Sequence, residues 1–197
     1  MKTRKATIKR RTKETSIELK LNLDGAGKVQ AATGVGFLDH MLDHLGKHSV
    51  CDLAVKASGD LRVDDHHTVE DVAICLGEAL KQALGDKAGI RRYGSASVPM
   101  EETLANVAID LSGRAAIVFD VKFVGDKIGT FDVQLVEEFL RRLAATAGMN
   151  IHVTVSHGAN DHHIAEAIFK ALAQALRQAK EIDPARKGDI PSTKGTL

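Results

Sequence analysis

The sequence predicts an α+β fold made of two tandem copies of one β/α unit, with sheets packed against helices. Segments of alternating apolar and polar residues, typical of half-buried strands, are followed by segments of helical periodicity, and this order occurs twice in 197 residues. The motif Asp-His-His-x-x-Glu also occurs twice, at residues 65–70 and 161–166. Because two copies of one unit indicate an internal duplication, we expect a pseudo-twofold arrangement of the halves.

The first half, approximately residues 1–88, contains four predicted strands and two predicted helices. The strands are expected at residues 5–12, 16–23, 28–35 and 51–58, and the helices at 36–48 and 66–84. Asp64 or Asp65 is suited to cap the second helix. That helix has one apolar stripe, formed by Val69, Val72, Ala73, Leu76, Leu80 and Leu84.

The second half, approximately residues 89–182, repeats this order, and an irregular tail follows at 183–197. The strands are expected at residues 91–100, 104–112, 115–123 and 150–157, and the helices at 131–148 and 162–179. A shift of 96 residues superimposes Leu76 on Leu172 and Glu70 on Glu166. Since the apolar stripe and the polar motif coincide together, residues 1–197 are expected to form one domain made of two repeats.

The composition excludes several classes of function. With 44% hydrophobic and 27% charged residues, no apolar stretch approaches the roughly 18 residues that cross a bilayer, and the basic N-terminal segment lacks the apolar centre of a secretory signal. Cys51 and Cys75 are expected to be reduced core residues of a cytoplasmic protein. A net charge of +1, with six Phe and one Tyr, gives no nucleic-acid footprint. The expected partners are small molecules and further copies of the chain.

The repeated motif has the chemistry of a metal site. On a helix, Glu70 can converge with His66 or His67, because residues three or four positions apart share a face. Adjacent residues diverge by about 100°, so each His-His pair is expected to serve two different ions. A single His-His pair at a helix start is more often a polar cap, but its exact recurrence with Glu favours metal binding. Imidazole and carboxylate ligands suit Mn, Fe or Zn.

The duplication adds two further candidate ligands. Aligning residues 38–41 with 136–139 places His40 on Glu138. Eight candidates result, enough for two metals with four protein ligands each. They are His40, His66, His67, Glu70, Glu138, His162, His163 and Glu166.

Five segments together resemble the imidazoleglycerol-phosphate dehydratase family, and the resemblance covers essentially the whole chain. They are GFLDHMLDH at 36–44, DDHHTVEDVA at 64–73, DLSGR at 110–114, NDHHIAEAIFKA at 160–171 and PSTKG at 191–195. The resemblance implies a single catalytic domain whose halves have the ribosomal protein S5 domain 2-like fold. It also implies two Mn²⁺ per active site and an assembly of 24 subunits, with active sites formed between neighbours.

The implied activity is a metal-dependent dehydration in histidine biosynthesis. Imidazole glycerol phosphate would lose water to give imidazole acetol phosphate, with both ring nitrogens bound to manganese so that the ring becomes imidazolate and expels hydroxide. Glu14 is then the candidate for proton transfer, with a metal-bound water as the competing candidate. The motif glutamates, Glu70 and Glu166, are further catalytic candidates.

The resemblance also implies substrate contacts. Arginines and lysines suit capture of a phosphate dianion, and Lys170 has Ile74 as its counterpart in the first half, as expected if one half alone makes that contact. Some family members have His where this chain has Glu138. The implied substrate-binding residues are Glu14, His40, His44, His48, Arg92, Arg114, Lys170, Ser192, Thr193 and Lys194.

Two other functions use the same metal ligands. A di-metal hydrolase would release phosphate, whereas the dehydratase would form a ketone and retain the phosphate. A metal-storage or metal-sensing protein would leave Arg92, Arg114 and Lys194 without a purpose.

Overall fold

The computed structural model describes residues 3–197. The first half contains a four-stranded sheet of order β1-β2-β4-β3 and two helices. Its elements are β1 (Lys5–Arg11), β2 (Thr15–Asn22), β3 (Val29–Ala32), α1 (Gly36–Ser49), β4 (Asp52–Gly59) and α2 (His66–Leu84). Within this sheet, β2 pairs antiparallel with β1 and β4, whereas β3 pairs parallel with β4.

The second half has the same topology. Its four-stranded sheet has the order β5-β6-β10-β7, in which β7 pairs parallel with β10 and the other pairs are antiparallel. Its elements are β5 (Tyr93–Met100), β6 (Thr103–Asp110), β7 (Ala116–Asp120), β8 (Lys127–Ile128), β9 (Phe131–Asp132), α3 (Gln134–Ala147), β10 (Asn150–His157) and α4 (Asp161–Ala179). The predicted duplicated α+β fold is therefore confirmed.

Each sheet buries one face against a helix of its own half. In β2, residues Thr15, Ile17, Leu19 and Leu21 are buried and alternate with more exposed residues, as a two-residue period requires. That buried face contacts α2, and β5 and β6 contact α4 in the same way. Full burial of one such leucine stabilises the fold by about 1.5–3 kcal/mol.

The helices join the two halves in exchanged pairs. α1 packs against α4 and α2 packs against α3, so each pair contains one helix from each half. Gly77 makes the α2–α3 contact close, because a Cβ there would lie 1.8 Å from the Thr146 hydroxyl oxygen. Phe139 and Phe169 meet at the centre, with ring centroids 5.2 Å apart. This exchange packs the helix that carries each copy of the motif, α2 or α4, against a helix of the other half.

Some predicted boundaries are wrong. The helix predicted at 131–148 begins at Gln134, because Phe131 instead pairs with Ile128 across a hairpin that turns at Gly129, where φ is 62°. The strand predicted at 115–123 ends at Asp120. The tail is irregular apart from one 3₁₀ turn at Pro184–Arg186.

No helix in the described part of the chain combines the length and the apolar character that a bilayer crossing requires.

Candidate metal and substrate site

Three predicted ligands meet where α1 packs against α4. The Nε2 atoms of His40 and His162 each lie 3.1 Å from Oε2 of Glu166. Ligand atoms of all three residues lie within 4.8 Å of one another, and residues 3–197 contain no other such group of three. His162 and Glu166 converge because they are four residues apart on α4. We call His40, His162 and Glu166 the first half-site.

Two further side chains surround Glu166. Nε2 of His44 lies 3.4 Å from its Oε1, and Nζ of Lys170 lies 2.5 Å from the same oxygen. His48 continues the row and stacks on His44, with ring centroids 5.6 Å apart. Lys170 thus contacts the motif glutamate, and its Nζ also lies 3.6 Å from Sδ of Met100.

The charges of the first half-site suit a cation. Burial raises the pKa of Glu166, but hydrogen bonds from Lys170 and His40 outweigh burial and lower this pKa to about 2. Burial lowers the pKa of His44, which favours its neutral form. An ionised carboxylate beside a neutral imidazole is an arrangement that a first-row divalent metal binds.

The pseudo-equivalent location lies where α2 packs against α3. The start of α1 at Gly36 corresponds to the start of α3 at Gln134, a shift of 98 residues, so Glu138 takes the place of His40. Glu138 faces Glu70 of α2, and Nε of Arg142 contacts Oε1 of both, at 2.5 and 3.1 Å. We call His66, Glu70 and Glu138 the second half-site; unlike those of the first half-site, their ligand atoms do not all lie within 4.8 Å of one another.

The remaining motif histidines are held by carboxylates. Nδ1 of His67 lies 3.0 Å from Oδ2 of Asp60, whose hydrogen bond raises the pKa of His67. Nδ1 of His163 lies 2.7 Å from Oε2 of Glu102, and this bond lowers the pKa of Glu102 to about 2. With Nδ1 occupied, Nε2 is the nitrogen that each ring has free for a ligand.

The sequence did not single out Asp60, Glu102 or Arg142. Glu102 could have been found by extending the duplication to the hairpins, because β2 begins at Thr15 and β6 at Thr103, a shift of 88 that superimposes Glu14 on Glu102. Arg142 could have been found as the counterpart of His44. Asp60 has no comparable signal in the sequence.

Glu14 lies in the β1–β2 turn, close to His67. Its carboxylate is 54% exposed and approaches Nδ1 of His67 at 4.0 Å. The hydroxyl oxygen of Thr12 accepts hydrogen bonds from the N–H groups of Glu14 and Thr15. The Thr15 hydroxyl in turn donates to Asp71 of α2 at 2.5 Å. The turn that carries Glu14 is therefore tied to the helix that carries the first motif.

The predicted phosphate residues lie around β6 and the tail, except Lys170, which contacts Glu166 in the first half-site. Arg92 donates two hydrogen bonds to Asp110, at 2.7 and 3.0 Å, and one to the Pro191 carbonyl oxygen at 2.8 Å. Arg92 thereby holds the segment that contains Ser192, Thr193 and Lys194. Arg114, Thr193 and Lys194 are exposed, and the Lys194 N–H donates to the Ser192 hydroxyl at 3.2 Å.

A duplicated α+β fold with a His/Glu cluster between exchanged helices defines a class of protein suited to a divalent metal. The family model described as imidazoleglycerol-phosphate dehydratase matches residues 33–176. The chain belongs to the imidazoleglycerol-phosphate dehydratase family and is therefore a hydro-lyase, as the sequence resemblance predicted.

Relatives and solved structures agree with this assignment. The chain is 60% identical over 194 residues to the imidazoleglycerol-phosphate dehydratase of Rhodopseudomonas palustris, with 98% of each protein covered. It is 59% identical to that of Granulibacter bethesdensis, covering 99% of this chain and 100% of the relative.

The crystal structure of the Staphylococcus aureus enzyme matches with a TM-score of 0.83 at 38% identity, covering 91% of this chain and 99% of that one. The crystal structure of the Pyrococcus furiosus enzyme in complex with (S)-C348 matches with a TM-score of 0.80 at 36% identity, covering 96% and 100%. The fold is thus shared over nearly the whole of each chain.

Proposed function

We propose that the chain dehydrates imidazole glycerol phosphate to imidazole acetol phosphate in histidine biosynthesis, using two manganese ions. The observation that carries this proposal is the convergence of His40, His162 and Glu166 on one point, with ligand atoms within 4.8 Å. The first copy of the motif, residues 65–70, lies at the pseudo-equivalent place, and family membership supplies the reaction.

The donor sets fit manganese. The first half-site offers two imidazole nitrogens and one carboxylate, and the second offers one imidazole nitrogen and two carboxylates. Mixed nitrogen and oxygen donors suit a first-row transition ion, whereas magnesium and calcium prefer oxygen donors alone. The first half-site would hold one ion and the second half-site the other. Manganese held by these residues would supply Lewis acidity toward the imidazole end of the substrate, which would favour loss of the hydroxyl group.

His67 and His163 would complete these sites from neighbouring copies of the chain. Each is adjacent to a half-site histidine and therefore projects about 100° away from it around the helix. Their Nδ1 atoms are held by Asp60 and Glu102, which leaves Nε2 available to a neighbour's site. This supports the proposal of a large homo-oligomer, with 24 subunits expected. Light scattering of the metal-loaded protein measures the assembly.

The reaction also needs a group that moves a proton. The hydroxyl group leaves from the carbon next to the ring, and a proton leaves from the following carbon, so that an enol forms and tautomerises to the ketone. Glu14 is exposed near His67 on an anchored turn, which suits a carboxylate that meets substrate. We assign Glu14 the proton-transfer role, while Glu70 and Glu166 hold the ions.

The substrate's phosphate would be bound by the exposed cations at the tail. Arg114 and Lys194 are exposed and free to approach a dianion. Arg92 is committed to Asp110 and the Pro191 carbonyl, so its proposed contribution is to position the Ser192–Lys194 segment as well as to add positive charge. His44 and His48 line the first half-site and would contact the imidazole end, while Lys170, which contacts Glu166 there, keeps its predicted role as a phosphate contact.

The deciding experiment follows two products at once. Metal-stripped and manganese-reloaded protein is incubated with imidazole glycerol phosphate, and ketone formation and inorganic phosphate are both measured. The proposal predicts ketone with retained phosphate in the reloaded protein alone. Phosphate release without ketone would instead indicate a hydrolase. The absence of both products would indicate a metal-storage protein.

A further inference from the structure

One cationic side chain contacts each half-site, but the two cations come from positions that the duplication does not relate. In the first half-site, Lys170 lies four residues after Glu166. In the second half-site, Arg142 lies four residues after Glu138. The counterpart of Lys170 is Ile74, and the counterpart of Arg142 is His44. The two cations therefore occupy non-equivalent positions of the repeat.

The two cations contact their carboxylates differently. Lys170 contacts Oε1 of Glu166, while His40 and His162 contact Oε2, so one carboxylate oxygen faces the imidazoles alone. Arg142 instead places one nitrogen, Nε, against Oε1 of both Glu70 and Glu138. Arg142 thus links α2 to α3 through Glu70 and Glu138, the two carboxylates proposed to bind a metal.

A divalent ion and a guanidinium compete for such a pair of carboxylates. The Glu70 and Glu138 side chains are only 25% and 19% exposed, so water screens them weakly. The Arg142 side chain is 43% exposed, and its length lets the guanidinium move into solvent. A divalent ion could therefore displace the Arg142 guanidinium into solvent without a steric clash. The displacement would cost free energy because the ion pairs with Glu70 and Glu138 are lost.

We propose that Arg142 is an internal cation that holds Glu70 and Glu138 together in the metal-free chain and leaves them when a divalent metal binds. The second half-site then binds manganese more weakly than the first, where Lys170 can stay in place. This inference rests on the proposed metal sites and concerns their relative affinities.

The test is a manganese titration of chelator-stripped protein, in which the electron paramagnetic resonance signal of free Mn²⁺ gives the bound fraction. Wild type should show two classes of site per chain with unequal affinity. Arg142→Ala and Arg142→Gln should each strengthen the weaker class about tenfold, because removing a nearby unit charge changes the binding free energy by that order. The stronger class should not change.

Arg141→Ala is the matched control. Arg141 makes the same i,i+4 ion pair, with Glu137, one residue earlier on α3 and outside the half-site. Its isotherm should superimpose on wild type. If both Arg142 variants also superimpose on wild type, or lose the weaker class, this inference is wrong although the metal sites stand. If wild type binds no manganese, the proposed metal sites and this inference are both overturned.

Discussion

The two half-sites occupy equivalent places in a duplicated fold, yet their side chains differ. The first joins two imidazoles to one buried carboxylate, whereas the second presents two carboxylates bridged by an arginine. The backbone topology of the halves is the same. The duplication therefore gives the two half-sites equivalent positions in the fold, and the differences His40/Glu138 and His44/Arg142 give them different side chains.

The largest expected effect tests whether both half-sites are required for turnover. His162→Ala and His66→Ala should each lower kcat by more than about a hundredfold, because each removes an imidazole from the ligand set of one proposed ion. Turnover and bound manganese are measured together for both variants. Near-normal turnover with both ions retained in either variant would show that the halves are not functionally paired.

Glu138 is the clearest difference between the half-sites. Glu138→Gln keeps the shape but removes the charge, so one manganese should bind about tenfold more weakly. Glu138→His should be tolerated better, because it makes the second half-site resemble the first at His40. Metal content under limiting manganese compares these variants with Glu137→Gln, whose glutamate pairs with Arg141 outside the site.

Equal occupancy in wild type, Glu138→Gln and Glu138→His would remove Glu138 from the site.

Removing the carboxylates that contact His67 and His163 should have a moderate effect in both halves. Asp60→Asn removes the charged partner of His67, and Glu102→Gln that of His163. Each should weaken manganese binding by about ten- to a hundredfold, as is typical when the partner of a ligating histidine is changed. Titration of the stripped variants measures this. Wild-type affinity in both variants would show that neither histidine is a ligand.

The smallest expected change lies away from the ions. Lys194→Ala should raise KM about tenfold with metal content unchanged, because it removes one charge from the proposed phosphate contacts. Lys187→Ala, an exposed lysine of the same tail, is the control and should have no effect. A loss of bound manganese in Lys194→Ala would place this lysine at the metal sites instead.

Most of the fold could be predicted because apolar residues recur with a different period in strands than in helices. The β8–β9 hairpin was missed because strands of two residues have no detectable period, and Phe131 extends the apolar pattern of α3. The exchanged pairing of α1 with α4 was not predicted either, because helix partners depend on packing between distant segments.

The candidate ligands could be predicted because a polar motif recurred on an apolar stripe. Their grouping could not, since it depends on the helix exchange. Asp60, Glu102 and Arg142 escaped because a single charged residue in a loop, turn or helix usually faces solvent. Of these, Glu102 and Arg142 become visible once the duplication is applied to every element rather than to the motif alone.

The most direct test of the central claim is the manganese stoichiometry of the assembled protein. The chain is stripped with chelator, reloaded with excess Mn(II), freed of unbound ion and measured by elemental analysis. The two half-sites of the duplicated fold predict two manganese ions per chain. One ion per chain, or none, would contradict the claim that both halves hold metal.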